Sequence, residues 1–160
     1  MPVVSEPSLP HTWRPLGVRL AFSFFGGLLV VVCVAAWYAV GPDVRARVSI
    51  YQQITVFLIA GLAAAVAWGL MRCRITASEI GVEVVNGYRR YAYDWAEVLA
   101  VHLPTGAPFA ILDLADGTSR QALAIQSADG DRARIAVRQL RVLLARTAAE
   151  SLERPDPPGD

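Results

Sequence analysis

Two long stretches without a charged residue, at positions 20–40 and 50–71, constrain this chain more than any other feature. At 1.5 Å per residue, each stretch makes a helix of roughly 30 Å, which is the thickness of the hydrocarbon core of a bilayer. The only strongly polar residues within them, Gln52 and Gln53, lie at one end of the second stretch. Residues 16–72 are therefore predicted to form a transmembrane hairpin, with helices at about 18–40 and 49–71.

The first stretch also has to be compared with a secretory signal peptide, because Arg14 and Arg19 precede it. Its apolar run is longer than the core of about 7–15 residues that a signal peptide has, and no small-x-small cleavage site follows it. The two residues before Cys33 are valines, which do not fit a lipoprotein cleavage site. An uncleaved membrane anchor is therefore expected.

The arginines that flank the two stretches predict the orientation of the hairpin. The connecting loop carries Arg45 and Arg47. The side that the N-terminus shares with the following domain carries four arginines: Arg14, Arg19, Arg72 and Arg74. Because positive residues concentrate on the cytoplasmic side, both termini and the domain are expected in the cytoplasm of a cell-membrane protein with two spans.

Aromatic residues near the ends of both stretches support these depths, since Trp and Tyr concentrate at membrane interfaces. We expect Trp37, Tyr38 and Tyr51 to act as anchors at the outer interface. Trp13 and Trp68 are expected to act as anchors at the inner interface.

Small residues recur at four-residue spacing in both stretches, where they would allow helix backbones to approach closely. They are Ser23 and Gly27 in the first stretch, and Gly61, Ala65 and Gly69 in the second. The simpler interpretation is that they hold the hairpin together. The alternative is that one of these two rows of small residues, here called stripes, faces a second copy of the chain or a different membrane protein. Both interpretations stay open at this point.

After residue 73 the pattern changes from continuously apolar to alternating, which is typical of β-strands. Strands are predicted at about 74–76, 82–85, 88–93, 98–103, 109–114 and 118–125. Asn86-Gly87 and Asp116-Gly117 are the expected hairpin turns. The second hairpin is expected to contribute core residues at Leu112, Leu114, Leu123 and Ile125.

A helical period follows residue 126. Asp129 or Asp131 is expected to cap the N-terminus of this helix, which ends near Glu150. Its polar face carries Arg134, Arg138 and Arg141, which we interpret as a solvated face.

Residues 1–15 are expected to be a flexible tail, residues 73–150 a cytosolic domain, and residues 151–160 a disordered Pro-rich tail. The predicted fold is an α+β membrane protein, in which a two-helix hairpin precedes a bent antiparallel sheet or β-barrel capped by one amphipathic helix.

Three segments stand out within this order of elements: Arg74-Ile75-Thr76 leading to Gly81-Val82, Tyr93-Asp94-Trp95-Ala96-Glu97-Val98, and Asp113-Leu114-Ala115-Asp116-Gly117-Thr118. With these segments, the chain resembles the bacterial pleckstrin-homology-like (PH-like) membrane proteins. It resembles in particular the actinobacterial family that includes a mycobacterial low-molecular-weight protein antigen. The resemblance implies a barrel of about seven strands, so a further short strand is expected near Ala96 or Leu103. It implies no catalytic residues.

Composition and motifs argue against several function classes. From residue 72 onward the chain has 11 Arg and 12 Asp or Glu, a net charge of 11 − 12 = −1, so it lacks the basic excess of a nucleic-acid binder. The two cysteines, Cys33 and Cys73, cannot form a metal site alone. His102 is interpreted as an ordinary strand histidine. Asp113 and Asp116 flank a turn, and they are interpreted through turn chemistry and a solvated strand edge. We therefore expect a protein that is not an enzyme and has no cofactor.

The predicted function is a cytosolic docking or scaffold domain held at the membrane. Its expected partners are the lipid bilayer and a membrane or cytosolic protein, with a second copy of the chain as a further option. The alternative function is a sensor of anionic lipid headgroups, which would contact Arg72, Arg74, Arg89 and Arg90. Each arginine would contribute about 1 kcal/mol near an anionic surface.

Overall fold

A computed structural model describes residues 7–153 and confirms the predicted α+β class. Two long apolar helices precede antiparallel sheets and a C-terminal helix. The chain divides into two compact units. One is Leu16–Met71, and the other combines the segment that ends at Pro15 with the segment that begins at Arg72.

The first unit contains helices α1 (Leu16–Ala39), α2 (Pro42–Arg47) and α3 (Ile50–Arg72). No residue of α1 is buried, and Gly69 is the only buried residue of α3. Large apolar side chains on both helices are exposed, as at Phe25 and Phe57. Both helices are long and apolar enough to cross a membrane. The short α2 begins with Pro42, which suits a first helical turn because the N–H that proline lacks would have no partner there.

The second unit contains two antiparallel sheets. The first has the order β1-β2-β3-β4, from β1 (His11–Trp13), β2 (Arg74–Ala77), β3 (Gly81–Asn86) and β4 (Arg89–Asp94). The second has the order β5-β6-β7, from β5 (Val98–His102), β6 (Phe109–Leu114) and β7 (Ser119–Gln126). Helix α4 (Asp131–Glu153) follows. All six strands predicted after residue 73 are present, with ends within one residue of the predicted ones.

Strand β1 is the seventh strand within residues 7–153, and it lies before the hairpin, where no strand was predicted. It pairs antiparallel with β2, and Trp13 lies opposite Ile75. The prediction that residues 1–15 form a flexible tail is therefore wrong for residues 11–13. The expectation of a strand near Ala96 or Leu103 is also wrong, because Trp95–Glu97 forms a 3₁₀ turn. Three residues are too few to show an alternating pattern, so the sequence carries no signal for β1.

The core lies between the two sheets and one face of α4. Its fully buried side chains include Ile75, Leu112 and Leu140. Leu114 and Ile125 are buried as predicted, whereas Leu123 is only half-buried. A bulge explains this difference, because the register of β6 and β7 shifts between Phe109 and Ala110 and leaves extra β7 residues there.

Asn86 joins the two sheets. Its Nδ2 donates to the carbonyl of Gln121 at 2.6 Å, and its Oδ1 accepts from the backbone N–H of Leu123 at 3.1 Å. The side-chain amide thus supplies one donor and one acceptor to β7, as a neighbouring strand would. The β3–β4 turn itself consists of Gly87 and Tyr88, and Gly87 has a φ of +65° at the position where a type II′ turn requires glycine.

Candidate functional site

Among the described residues, β5 is an edge strand, because β6 pairs with it on one side and no other strand pairs with it on the other. Helix α4 runs along its other side, and Nε of Arg141 donates to the carbonyl of Val101 at 2.6 Å. The pairing of β5 with β6 shifts between Val98 and Ala100, which places Leu99 at a bulge. The Leu99 side chain is 65% exposed. The second sheet therefore presents an incompletely covered edge beside α4.

Three clefts follow this edge along α4, with volumes of about 360, 400 and 420 Å³. The first and second share Arg141, and the second and third share Leu99, Leu144 and Ala148. We call them together the β5–α4 groove. It is formed by residues 99–102 of β5 and by Arg134, Arg138, Arg141, Leu144 and Ala148 of α4.

The two ends of the β5–α4 groove differ in polarity. The end near the loop at residues 104–106 is lined by Arg134, Arg138 and Arg141. Arg134 pairs with Asp131 at 3.3 Å, whereas Arg138 has no ion pair within residues 7–153. The other end is lined by Trp95 and by the apolar side chains at Leu99 and Leu144. The predicted solvated arginine face is therefore one wall of a groove.

His102 lies in strand β5, as predicted, and it has a polar partner there. Its Nδ1 lies 3.2 Å from Oδ2 of Asp113, and Oδ1 of Asp113 accepts from the hydroxyl of Ser119 at 2.8 Å. The carboxylate thus lies between the imidazole and the hydroxyl. A serine nucleophile needs direct contact with its base, so this cluster is not a nucleophile–base arrangement.

Asp116 belongs to the β6–β7 turn, as predicted. Its Oδ1 accepts hydrogen bonds from the hydroxyl and from the backbone N–H of Thr118, at 2.7 and 2.8 Å. These hydrogen bonds hold the pKa of the Asp116 carboxyl below its usual value. Within residues 7–153, no group of three or more His, Cys, Asp or Glu side chains is placed to hold a metal ion.

The arginines predicted to contact lipid are partly neutralised. Oε1 of Glu83 lies 3.6 Å from Arg74 and 3.9 Å from Arg90. Arg89 is exposed and lies opposite Asn86 in the β3–β4 ladder. Arg72 is the last residue of α3 and is also exposed. The structure therefore brings Arg74 and Arg90 together around one carboxylate.

The residues predicted to anchor the chain at membrane interfaces divide into two groups. Trp37, Tyr38, Tyr51 and Trp68 lie near helix ends with exposed side chains, and their interface role stays a prediction. Trp13 is different, because it is 9% exposed in the core and its indole Nε1 donates to Oε1 of Gln139 at 3.0 Å. A buried, hydrogen-bonded indole cannot reach a membrane interface, so the prediction for Trp13 is wrong.

The small residues of the hairpin also differ from one another. At Gly27 and Gly61, an added Cβ atom would meet no heavy atom of the described residues within 4 Å. Close helix packing at these two glycines is therefore absent in the structure. Gly69 is buried, while Ser23 and Ala65 are exposed. The interpretation that the stripes hold the hairpin together is wrong at Gly27 and Gly61.

Comparison with known proteins identifies the family. Residues 72–142, from the end of α3 into α4, match the family model of the bacterial PH domain. Uncharacterized proteins of Mycobacterium tuberculosis H37Rv and Mycobacterium bovis are each 31% identical over 142 residues, which cover 86% of this chain and 86% of each relative. No solved structure matches the chain. The chain therefore belongs to the bacterial PH-domain family, in an actinobacterial branch with these mycobacterial relatives.

Proposed function

We propose that α1 and α3 anchor this protein in the cell membrane and that its PH-like domain binds protein partners in the β5–α4 groove. The observation that carries the docking part is the incompletely covered edge of β5 beside a groove that contains the exposed Leu99. Edge strands beside a groove can bind extended segments of other proteins through backbone hydrogen bonds. The fold supplies this surface without a nucleophile–base arrangement in the described part of the chain.

The anchor is supported by the exposure of α1 and α3, since soluble proteins rarely leave apolar surfaces of this size in water. The pairing of β1 with β2 adds a topological argument. Cleavage after α1, as in a signal peptide, would remove β1 and with it the buried Trp13. The same pairing supports a topology in which the chain before α1 and the chain after α3 lie on one side of the membrane. The flanking arginines favour the cytoplasmic side.

This topology predicts which positions a membrane-impermeant thiol reagent reaches in intact cells. In a background with Cys33→Ala and Cys73→Ala, we expect labelling of Ala46→Cys, which lies in the connecting segment. Ser8→Cys and Ala128→Cys, both at exposed positions, should react only after the membrane is permeabilised. Labelling of Ala128→Cys in intact cells would contradict the orientation. Labelling of Ser8→Cys and Ala128→Cys from opposite sides would contradict the hairpin itself.

If a partner protein docks in the β5–α4 groove, crosslinks to it should form from positions inside the groove and not from positions outside it. A photoreactive residue in place of Leu99 is expected to give a discrete covalent adduct with another protein in cells. The same residue in place of Val142, which is exposed on α4 but outside the groove, should not give this adduct. Ala145→Trp narrows the groove and should abolish the Leu99 adduct, whereas Ala149→Trp is the matched control. Equal adducts at positions 99 and 142 would refute docking at this site.

Lipid contact is the second candidate function, and the exposure of Arg89 and Arg90 on β4 favours it. In nanodiscs with anionic lipid, hydrogen exchange over residues 88–94 should be slower than in zwitterionic nanodiscs. Arg89→Ala together with Arg90→Ala should remove this difference, because each arginine contributes about 1 kcal/mol near anionic lipid. Arg132→Ala with Arg134→Ala on α4 is the control. Identical exchange in both lipids would exclude lipid contact by β4.

A further inference from the structure

The outer edge of β5 has backbone groups that point away from β6. The carbonyl of Val101 does so, because it accepts a hydrogen bond from Arg141 on α4. In an antiparallel ladder the N–H and C=O of one residue point to the same side, so the N–H of Val101 also faces the groove. An extended segment laid along the groove would meet this N–H as a hydrogen-bond donor.

The bulge at Leu99 shapes the apolar end of the groove. A bulge leaves an extra residue unpaired and bends the strand, and here that residue is 65% exposed. Leu99 lines the groove together with Leu144 and Ala148. Because side chains alternate along a strand, every second residue of an added segment would contact this apolar surface.

The basic end of the groove determines the charge of its occupant. Arg134, Arg138 and Arg141 line it, and no acidic side chain of residues 7–153 lines the three clefts. Arg138 is exposed, so its charge is available to an anionic group. A second copy that paired its own β5 here would bring a second row of arginines into the same cleft. Charge complementarity therefore favours an acidic segment over a second copy.

The length of the groove limits the size of this segment. Arg134 and Ala148 are fourteen positions apart on α4, which corresponds to about 21 Å of helix. An extended chain covers that distance in about six residues. A short linear segment is thus long enough to contact both the arginines and the apolar end.

Resting on the docking function proposed above, we infer that the β5–α4 groove binds an extended acidic segment of a protein partner. The segment adds as a strand to β5, places carboxylates beside Arg138, and places apolar side chains against Leu99 and Leu144. Its recognition combines backbone hydrogen bonds, which are independent of sequence, with selection for charge at one end of the groove.

The test uses the full-length protein in nanodiscs of zwitterionic lipid and fluorescein-labelled octapeptides as probes. The acidic probe has two Glu followed by alternating Val and Thr, and the neutral probe has Gln in place of both Glu. We expect the acidic probe to bind at least tenfold more tightly, by fluorescence anisotropy. Arg138→Glu should abolish this preference, whereas Arg132→Glu, exposed on α4 outside the groove, should keep it. N-methylation of alternate backbone amides of the probes should weaken the binding of both.

Three outcomes would overturn the inference. Equal affinity for the two probes would show that the groove does not select acidic segments, and unchanged binding of N-methylated probes would show that no strand is added. Failure of both probes to bind would also overturn it. The crosslinking experiment at Leu99 then separates the two proposals, because adducts in cells would leave docking intact and their absence would remove docking as well.

Discussion

Replacing Trp13 with alanine is expected to destabilise the PH-like domain by about 3–5 kcal/mol. The substitution removes a side chain that is 9% exposed in the core, and it leaves Oε1 of Gln139 without the indole donor. The thiol of Cys73, which is 1% exposed, reports the effect in a Cys33→Ala background. Because each 1.4 kcal/mol is a factor of ten, we expect thiol labelling of the full-length protein in mild detergent to accelerate more than about a hundredfold.

Thr12→Ala is the matched control for this prediction. Thr12 lies in the same strand, but the hydrogen bond of its hydroxyl to the hydroxyl of Thr76, at 3.2 Å, is exposed. Loss of this hydrogen bond should lower the free energy of unfolding by about 0.5–1 kcal/mol. If Trp13→Ala labelled no faster than Thr12→Ala, Trp13 would lie outside the core. The interface position predicted from the sequence would then be correct.

Trp13 also shows where sequence reasoning fails for this chain. A tryptophan a few residues before an apolar stretch has the pattern of an interface anchor, and only the pairing of β1 with β2 overrides that pattern. The pairing joins residues 62 positions apart, Trp13 and Ile75, and no local signal encodes a contact of this kind. The match to the bacterial PH domain begins at residue 72, so it leaves β1 out as well.

The strands after residue 73 could be predicted because their signals are local. Alternation identifies β3, and a glycine turn identifies its connection to β4. The role of Asn86 could not be predicted in the same way. Its amide contacts Gln121 and Leu123, which the sequence places in a different hairpin.

The candidate site does not follow from the sequence, for a related reason. The arginines at positions 134, 138 and 141 follow the helical period, which correctly predicts that they share one face of α4. Their role as a wall of the groove depends on which strand packs beside them, and on the bulge that exposes Leu99. Neither property follows from periodicity, because the first depends on how α4 packs against the second sheet and the second on the register of β5 with β6.

Gly81→Ala is expected to destabilise the PH-like domain although it adds only one methyl group. Gly81 is buried at the start of β3, where its backbone N–H and carbonyl both contact Ser78. An added Cβ atom would overlap the carbonyl oxygen of Tyr93 on β4. Because that obstacle is backbone, it cannot rotate away, and β3 would have to separate from β4. We expect the free energy of unfolding to fall by an amount at the upper end of the range of about 1–3 kcal/mol for overpacked sites.

The same Cys73 labelling assay measures this loss, because Cys73 accepts a hydrogen bond through Sγ from the backbone N–H of Gly87 in the β3–β4 turn. A loss near 3 kcal/mol corresponds to roughly a hundredfold faster labelling. Gly26→Ala is the control, since its Cβ atom would meet nothing within 4 Å. Labelling of Gly81→Ala at the rate of Gly26→Ala would mean that β3 and β4 lie further apart than the structure places them. Their close approach at Gly81 would then be refuted.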